Sequence, residues 1–270
     1  MSNKNLKRYI GYSKTPLLWN TGQINQLKQF DEDLDVVNNL NIETNDSIRL
    51  GKLVEHFVFL QLQQNKSISI IVQNLQVIQN KITIGEIDCV IKYLNQYIHL
   101  EIVYKFYLYD DDLDKEDLEK WIGPNKKDSL VFKLNKLINK QLPLLHHHKT
   151  KELLKKSNLN TDFISSMVLF KAQLFVPKDL INYKFKHINE QCIVGSYIGM
   201  REYKLLDNCA FYMPSKLDWL IEPHANVKWI SQMKFTQYLK AEINQSRSPL
   251  CWVKDEQNNL QKIFIVFWKK

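Results

Sequence analysis

Glycine and cysteine are both scarce in this 270-residue chain, which has seven glycines and four cysteines. The cysteines, Cys89, Cys192, Cys209 and Cys251, stand far apart, and no Cys-x-x-Cys pair occurs. This spacing excludes a zinc knuckle or a disulfide framework as the basis of the fold. The sequence also has no Gly-x-Gly-x-x-Gly or Walker loop, which excludes the nucleotide-binding folds that depend on such phosphate-binding loops.

The chain has no long hydrophobic run. The segment 263–268 is strongly apolar, but it is far shorter than the roughly 20 residues that span a bilayer. Residues 1–8 are polar and basic, and no apolar stretch follows them, so the sequence predicts no signal peptide. We therefore expect a cytoplasmic protein without a membrane partner.

The overall composition is typical of a folded protein, because 44% of the residues are hydrophobic and 11% are aromatic. Lysine and arginine together number 37, against 29 aspartates and glutamates, so the formal net charge is +8. An excess of this size permits a polyanionic partner, but it also occurs in proteins that bind none. The charge is therefore compatible with nucleic-acid binding and does not require it.

The pattern of hydrophobic residues predicts an α/β protein with a mixed central sheet and flanking helices. An N-terminal extension (1–44) precedes a core (45–176), and a C-terminal α+β extension (177–270) is expected to pack on that core. The core is predicted to begin with a helix over 48–64, capped by Asn45, Asp46 and Ser47. Three β-rich stretches follow, at 67–72, 75–94 and 97–109. Helices over 126–142 and 149–157 and a strand over 165–176 complete the core. The extension is predicted to contain a helix over 227–243 and a closing strand over 261–268.

The stretches 75–94 and 97–109 are predicted to form a hairpin that gathers charged side chains. With a two-residue loop at 95–96, Glu86 faces Lys105 and Asp88 faces Val103. Side chains alternate along a strand, and directly opposed residues share a face. One face of the hairpin therefore carries four charged residues: Glu86, Asp88, Glu101 and Lys105.

Asp88 and Glu101 are diagonal neighbours in this register, with backbones about 7–8 Å apart. Two carboxylates at that separation can share Mg²⁺ or Mn²⁺, with water and a substrate phosphate completing the shell. Lys105 can orient the attacking water, help to deprotonate it and stabilise charge on the phosphate. Glu55, at the margin of the apolar face of the 48–64 helix, supplies a third carboxylate if that helix packs beside the hairpin. This combination indicates metal-assisted phosphodiester hydrolysis.

The same residues carry a resemblance to known families. Glu55, the Gly-Glu-Ile-Asp run at 85–88 and the Glu-Ile-Val-Tyr-Lys run at 101–105 resemble the PD-(D/E)XK, restriction-endonuclease-like superfamily in sequence and element order. More narrowly, the chain is similar to the domain-of-unknown-function family 1853 over about residues 45–145. That similarity rests on 85–88, on His-Leu-Glu at 99–101, on Lys-Phe-Tyr-Leu at 105–108, on Gly-Pro-Asn at 123–125 and on Gln-Leu at 141–142.

The resemblance implies a restriction-endonuclease-like core with a metal site at Asp88 and Glu101. It also implies that Glu55 assists in binding the metal and that Lys105 is the catalytic cation. Glu86, on the same hairpin face, is a candidate supporting residue.

The sequence departs from the superfamily pattern at its lysine. The superfamily places this lysine two residues after the glutamate, where the present chain has Val103. Lys105 lies on the same face one pleat further along, about 6.5–7 Å away. Two interpretations remain open: the long side chain of Lys105 reaches back to the site, or it pairs with Glu86 and the site is inactive. A cross-strand cluster of ion pairs on a solvated face is the purely structural alternative.

Two further features allow both a functional and a structural interpretation. Lys126, Lys133, Lys136 and Lys140 recur along one side of the predicted 126–142 helix, where they could hold a nucleic-acid backbone. An ordinary solvated helix face is the preferred explanation. His99 shares the face of Glu101, and we interpret it as a strand-surface histidine, with a supporting role beside that carboxylate as the alternative.

These features together predict a Mg²⁺- or Mn²⁺-dependent nuclease that acts on DNA, with RNA as the second choice. The alternative is a catalytically inactive nuclease-fold protein that binds nucleic acid or docks a protein partner. The nuclease and the inactive nuclease-fold protein differ in whether metal-dependent cleavage accompanies binding.

Overall fold

The structure is a computed structural model that describes residues 3–20, 22–32, 34, 36–37 and 47–269. The chain forms two compact units, each built from segments that are discontinuous in sequence. The hairpin unit consists of Leu17–Tyr104 and Phe132–Lys171, and the terminal unit consists of Met1–Pro16, Lys105–Val131 and Ala172–Lys270. The domain boundaries predicted at residues 44 and 176 divide the chain into continuous stretches. The discontinuous units do not test these boundaries, which stay a prediction.

Helices and strands are interspersed along the chain. The α-helices are α1 (Asn3–Lys14), α2 (Leu50–Gln64), α3 (Leu130–Lys136), α4 (His148–Lys155), α5 (Met200–Tyr203) and α6 (Gln232–Asn244). The strands are β1 (Ile68–Gln79), β2 (Ile82–Tyr93), β3 (Gln96–Tyr109), β4 (Trp121–Ile122), β5 (Ile164–Val176), β6 (Ile193–Gly199), β7 (Ala210–Tyr212), β8 (Ile230–Ser231), β9 (Leu250–Lys254) and β10 (Leu260–Val266). A π-helical turn (Leu137–Gln141) and a 3₁₀ turn (Leu142–His146) continue directly from α3.

The strands form one mixed sheet, which confirms the predicted α/β class. Their hydrogen-bonded order is β1-β2-β3-β5-β6-β10-β9-β7-β8, and β4 pairs with β3 outside this path. Strand β6 runs parallel to both β5 and β10. The pairs β1–β2, β2–β3, β3–β4, β9–β10, β7–β8 and β7–β9 are antiparallel.

Helix α2 forms where hydrophobic residues recur with helical spacing. Leu53, Val54, Phe57 and Val58 lie on one face and are all buried, which confirms the predicted apolar face. The helix begins at Leu50, two residues after the predicted start, and Arg49 at its N-cap makes no side-chain capping bond. Of the predicted caps, Ser47 lies in a turn before the helix, and residues 45–46 lie outside the described part of the chain.

The stretch 75–94, predicted as one β segment, contains a tight turn. Strand β1 ends at Gln79 and β2 begins at Ile82, so Asn80 and Lys81 form a two-residue loop. Their φ angles are 50° and 64°, as a type I′ hairpin turn requires. The single predicted segment is therefore wrong, because its second half folds back on the first.

The loop between β2 and β3 begins one residue earlier than predicted. Tyr93 pairs with Gln96, so Leu94 and Asn95 form the loop, and Leu94 adopts a positive φ of 52°. Moving a two-residue loop by one position shifts the strand register by two residues, which keeps each side chain on its predicted face. The predicted opposition of Glu86 and Lys105 is wrong for this reason.

Two predicted helices begin later than expected. The helix predicted from Lys126 begins at Leu130, because Lys126 lies in a turn with a φ of 56° that an α-helix does not accept. The helix predicted from Val227 begins at Gln232, because strand β8 precedes it and pairs with β7. The strand predicted over 165–176 is confirmed, one residue longer, as β5.

Each unit has its own hydrophobic core. In the hairpin unit the core consists of Val77, Ile87, Val90, Leu144, Leu145, Leu154, Leu159 and Ile164. In the terminal unit it consists of Ile198, Tyr203, Phe211, Phe235, Leu239, Cys251, Val253, Ile263 and Ile265. Among the described residues, no helix combines the length and the apolar character needed to cross a membrane.

A buried lysine lies in strand β10 of the terminal unit. Lys262 is only 6% exposed, and its Nζ donates to Gln173 Oε1 at 2.8 Å and to the Trp219 carbonyl at 2.7 Å. Both acceptors are uncharged. Burial therefore lowers the pKa of Lys262 from 10.5 to about 7, despite an opposing contribution from Glu222.

This shift makes the stability of the protein depend on pH. Between pH 7 and 10.5 the unfolded chain holds a proton on Lys262 that the folded chain has lost, so the free energy of unfolding rises with pH. The slope from one such group is at most about 1.4 kcal/mol per pH unit. We expect Lys262→Met to flatten the rise in denaturant-derived unfolding free energy between pH 7 and 9. Lys240→Met, at an exposed lysine of α6, is the control, and an identical slope in all three proteins would contradict the prediction.

Candidate functional site

Acidic side chains from strands β2 and β3 and from helix α2 come together in the hairpin unit. The last registered β2–β3 pair is Cys89 with Leu100, and the residues that follow it are Asp88 and Glu101. These two carboxylates therefore lie just beyond the end of the regular β2–β3 pairing, so the diagonal pairing predicted for them is not part of the observed register. Asp88 Oδ2 accepts the backbone N–H of Ile102 at 2.8 Å.

Asp88 is in an environment that opposes its negative charge. Burial, followed by the charge of Glu101, raises the pKa of Asp88 from 3.8 to about 8. The Ile102 hydrogen bond and the positive charge of Lys133 act in the opposite direction, and Glu55 adds to the rise. Three of the predicted metal ligands therefore interact with one another electrostatically.

Glu101 is fully buried and is held by two side chains. Its Oε1 lies 3.0 Å from His99 Nε2, and its Oε2 accepts a hydrogen bond from Gln141 Nε2. His99 is also fully buried, so the interpretation as a strand-surface histidine is wrong and the alternative beside the carboxylate applies. The orientation of Glu101 is thus fixed from β3 itself and from the π-helical turn.

Gln141 also connects Glu101 to a lysine. Lys133 Nζ donates to Gln141 Oε1 at 2.7 Å, while the amide nitrogen of Gln141 donates to Glu101. The turns that follow α3 approach strand β2 closely, because a Cβ at Gly85 would lie 2.6 Å from a methyl carbon of Leu144. The glycine of the Gly-Glu-Ile-Asp run therefore allows the segment carrying Gln141 to pack against the hairpin.

A second lysine connects the helix to the hairpin. Lys52 Nζ lies 2.7 Å from Glu55 Oε2 and 2.7 Å from Glu86 Oε1. Burial alone would lower the pKa of Lys52, but the hydrogen bonds to the two carboxylates outweigh it and raise that pKa. Burial raises the pKa of Glu55, against the effect of Lys52. Glu86 thus holds the lysine that neighbours Glu55.

The carboxylates in this cluster outnumber the lysines. Glu55, Glu86, Asp88 and Glu101 meet Lys52 and Lys133, which leaves an excess of two negative charges when all four carboxylates are ionised and of one while Asp88 keeps its proton. Oxygen donors with uncompensated negative charge are what Mg²⁺ and Mn²⁺ bind. The donor set of the cluster therefore fits a divalent cation.

Lys105, the predicted catalytic cation, has a different partner. Its ammonium group forms an ion pair with Asp128, and both residues belong to the terminal unit. The alternative in which it pairs with Glu86 is wrong, because Glu86 bonds Lys52.

The other predicted lysines do not form one helical row. Lys126 lies in a turn before α3, where it pairs with Asp110 at 2.8 Å and stands 4.1 Å from the ring centre of Trp268. Lys133 lies in the cluster described above, and Lys136 and Lys140 are exposed. Lys126 is also exposed, but of the four only Lys136 and Lys140 combine an exposed side chain with a position in the helical segment that begins at Leu130.

Three residues of the cluster were not assigned a role in it from the sequence. Lys52 stands three residues before Glu55, a spacing that brings side chains together on a helix and could have identified it. Gln141 is brought to Glu101 by the π-helical turn, and no periodic pattern indicates such a turn. Lys133 was predicted only as a contact to a nucleic-acid backbone.

Another acidic group lies in the terminal unit. Oxygen atoms of Asp110, Asp111 and Asp112 lie within 4.8 Å of one another. Asp110 already pairs with Lys126, and Asp111 pairs with Lys269 at 2.8 Å. Lys52 pairs with Glu55 and Glu86 in the same way, so ion pairing does not distinguish the two groups. The hairpin cluster is kept as the candidate metal centre because it contains the carboxylates predicted from the sequence.

Comparison with known proteins gives one result. A family model described as Domain of unknown function (DUF1853) matches residues 9–266. No curated protein matches the chain, and no solved structure matches it. The matched range extends well beyond residues 45–145, where the sequence similarity was noticed, and includes most of both compact units. The chain therefore belongs to the DUF1853 family.

Proposed function

We propose that this protein is a metal-dependent nuclease that hydrolyses phosphodiester bonds in DNA, with RNA as the second choice of substrate. The proposal includes a restriction-endonuclease-like core of the PD-(D/E)XK type. The observation that carries it is a pair of carboxylates on neighbouring strands, the half-buried Asp88 and the fully buried Glu101. Burial, followed by the charge of Glu101, raises the pKa of Asp88 to about 8, and a cation bound between the two carboxylates would favour the ionised form of Asp88.

Asp88 and Glu101 would hold Mg²⁺ or Mn²⁺, with Glu55 assisting. A cation bound there would polarise a phosphoryl oxygen and help to position the attacking water. His99 and Gln141 keep Glu101 in place, as partners of metal-binding carboxylates commonly do.

Lys133 supplies the positive charge that the superfamily pattern expects two residues after Glu101. It is the cation that acts on Asp88, and Gln141 links it to Glu101. Its ammonium group would stabilise the negative charge that develops on the phosphate in the transition state. In this proposal Lys105, which pairs with Asp128, is not the catalytic lysine.

Metal binding can be tested before any substrate is known. We expect Mn²⁺ to raise the melting temperature of the wild-type protein and to leave that of Asp88→Asn unchanged. Metal at thirty times its dissociation constant would stabilise the folded protein by about 2 kcal/mol. Thermal melts of both proteins with and without Mn²⁺ measure this shift in melting temperature. Mn²⁺ bound at any other site would shift the melting temperatures of both proteins equally. Equal shifts in the two proteins would argue against a metal site at Asp88.

The nuclease activity itself is tested by incubating the full chain with plasmid DNA, single-stranded DNA and RNA. Each substrate is tested with Mg²⁺, with Mn²⁺ and with EDTA. The proposal expects cleavage of at least one substrate that requires metal and is absent in EDTA. Salt-sensitive binding without cleavage under any condition would support the inactive, nucleic-acid-binding alternative instead.

A further inference from the structure

A cavity of about 280 Å³ lies wholly within the terminal unit. Helix α1 contributes Lys4 and Lys7 to its lining, and the chain from Asp218 to Val227 contributes further residues. Strands β7 and β9 contribute Tyr212 and Trp252. It shares no residue with the carboxylate cluster of the hairpin unit, so what it binds does not depend on the proposed nuclease activity.

Positive charge dominates this cavity. Asp218 is its one acidic lining residue, and Oδ1 of that carboxylate accepts Arg8 Nε at 2.8 Å. Lys4 lies 2.9 Å from Asp218 Oδ2, so two cations share one carboxylate. Lys7 adds a further charge, so the two lining lysines exceed the one lining carboxylate by one positive charge.

The partner of Lys7 is a histidine rather than a carboxylate. Lys7 Nζ lies 3.3 Å from His224 Nε2. Burial, followed by the charge of Lys7, lowers the pKa of His224, so the imidazole is neutral at physiological pH. A neutral acceptor does not offset the charge of Lys7. The lysine therefore remains available to a negatively charged group in the cavity.

Aromatic rings form another part of the lining. The ring centre of Trp252 lies 5.0 Å from that of Tyr212 and 5.2 Å from that of His224. Trp252 is only 1% exposed, and its indole N–H has no hydrogen-bond partner among the described residues. An indole this buried offers almost no surface to a ligand, so the accessible aromatic surface of the cavity is that of Tyr212 and His224, which are half-buried.

We infer that this cavity binds a nucleoside monophosphate, with its phosphate on Lys4 and Lys7 and its base against the rings of Tyr212 and His224. The class follows from two requirements: an anionic group for the lysines and a planar ring for the aromatic side chains. The volume lies at the lower limit of ligand sites, roughly 300–1,000 Å³, and suits one nucleotide rather than a dinucleotide. A free nucleotide and the 5′-phosphorylated end of a strand both present this chemistry.

The test follows the indole N–H signals of the full-length protein by NMR during titration with AMP. The Trp252 signal is identified as the one lost in Trp252→Phe. AMP is expected to shift it in a saturable manner, and adenosine, which has the ring without the phosphate, is expected to bind at least tenfold more weakly. Lys7→Gln should weaken AMP binding at least tenfold, whereas Lys240→Gln, at an exposed lysine, should leave it unchanged.

Calorimetry with AMP on the wild-type protein, Lys7→Gln and Lys240→Gln measures the same affinities if Trp252→Phe fails to fold. A short 5′-phosphorylated oligonucleotide distinguishes the two sources of the phosphate. Binding of the oligonucleotide at least as tight as that of AMP indicates a strand end, and weaker binding indicates a free nucleotide. Either result supports the site. Failure of AMP to bind at millimolar concentration, or equal affinity in wild type and Lys7→Gln, would overturn the inference.

Discussion

Replacing Asp88 by asparagine is expected to reduce metal-dependent cleavage about a thousandfold or more. The substitution keeps the size of the side chain and an oxygen that can accept the Ile102 N–H, but it removes one of the two charges that would hold the metal. A thousandfold loss corresponds to about 4 kcal/mol of transition-state stabilisation. Initial cleavage rates at saturating metal measure the effect. Glu152→Gln, at an exposed carboxylate of α4, is the matched control and should retain wild-type activity.

The same variant should be more stable than the wild type when no metal is present. The folded-state pKa of Asp88, about 8, lies above the ordinary 3.8, so the folded chain holds this proton where the unfolded chain has lost it. The free energy of unfolding therefore falls as pH rises from about 4 to 8, and asparagine removes that dependence. Loss of cleavage together with loss of folding would leave the activity result uninformative, whereas loss of cleavage with retained or greater stability would support a catalytic role. Unchanged cleavage would refute the site.

Replacing Lys133 by methionine is expected to reduce cleavage by about 10² to 10⁴-fold, the usual range for a positioned catalytic group. The parallel substitution Lys105→Met should change the rate by only a few fold, because Lys105 pairs with Asp128 rather than with any carboxylate of the cluster. Lys105→Met removes one lysine from strand β3, and Lys133→Met removes one from helix α3. They are therefore matched in charge and in chemistry.

Single-turnover rates at saturating metal should be measured for both variants. The reverse order, with Lys105→Met inactive and Lys133→Met active, would return the catalytic role to the position first expected from the superfamily pattern. Arginine at 133 provides a further check. It keeps the charge but changes its geometry, so partial activity would indicate that charge near the phosphate is the main requirement.

Much of the hairpin unit could be predicted because its elements follow regular periods. The apolar face of α2 has helical spacing, and the strands carry β-branched residues between turns, so the α/β class and the presence of these elements follow from pattern alone. The parity of the β2–β3 hairpin was also predictable, since any two-residue loop keeps Asp88 and Glu101 on one face. The prediction that these two side chains share a face therefore did not depend on the correct register.

The remaining details depend on backbone conformations that the hydrophobic pattern does not indicate. Asn80 and Lys81 take positive φ within a stretch of β-forming residues, and Leu94 does so although leucine seldom adopts that conformation. The partners of Lys133 and Lys105 are set by tertiary contacts. In particular, the π-helical turn places Gln141 between Lys133 and Glu101, and such turns have no simple sequence signature.

The interleaving of the two units has a consequence for how the protein is made. The chain passes between the units four times, and three of these crossings lie inside β3, α3 and β5. A ribosome completes every segment of the hairpin unit by residue 171, whereas the terminal unit waits for the strands of the last hundred residues or so. The carboxylate cluster can thus assemble while the rest of the chain is still being synthesised. For the same reason, no single cut in the gene yields two pieces that each encode one whole unit.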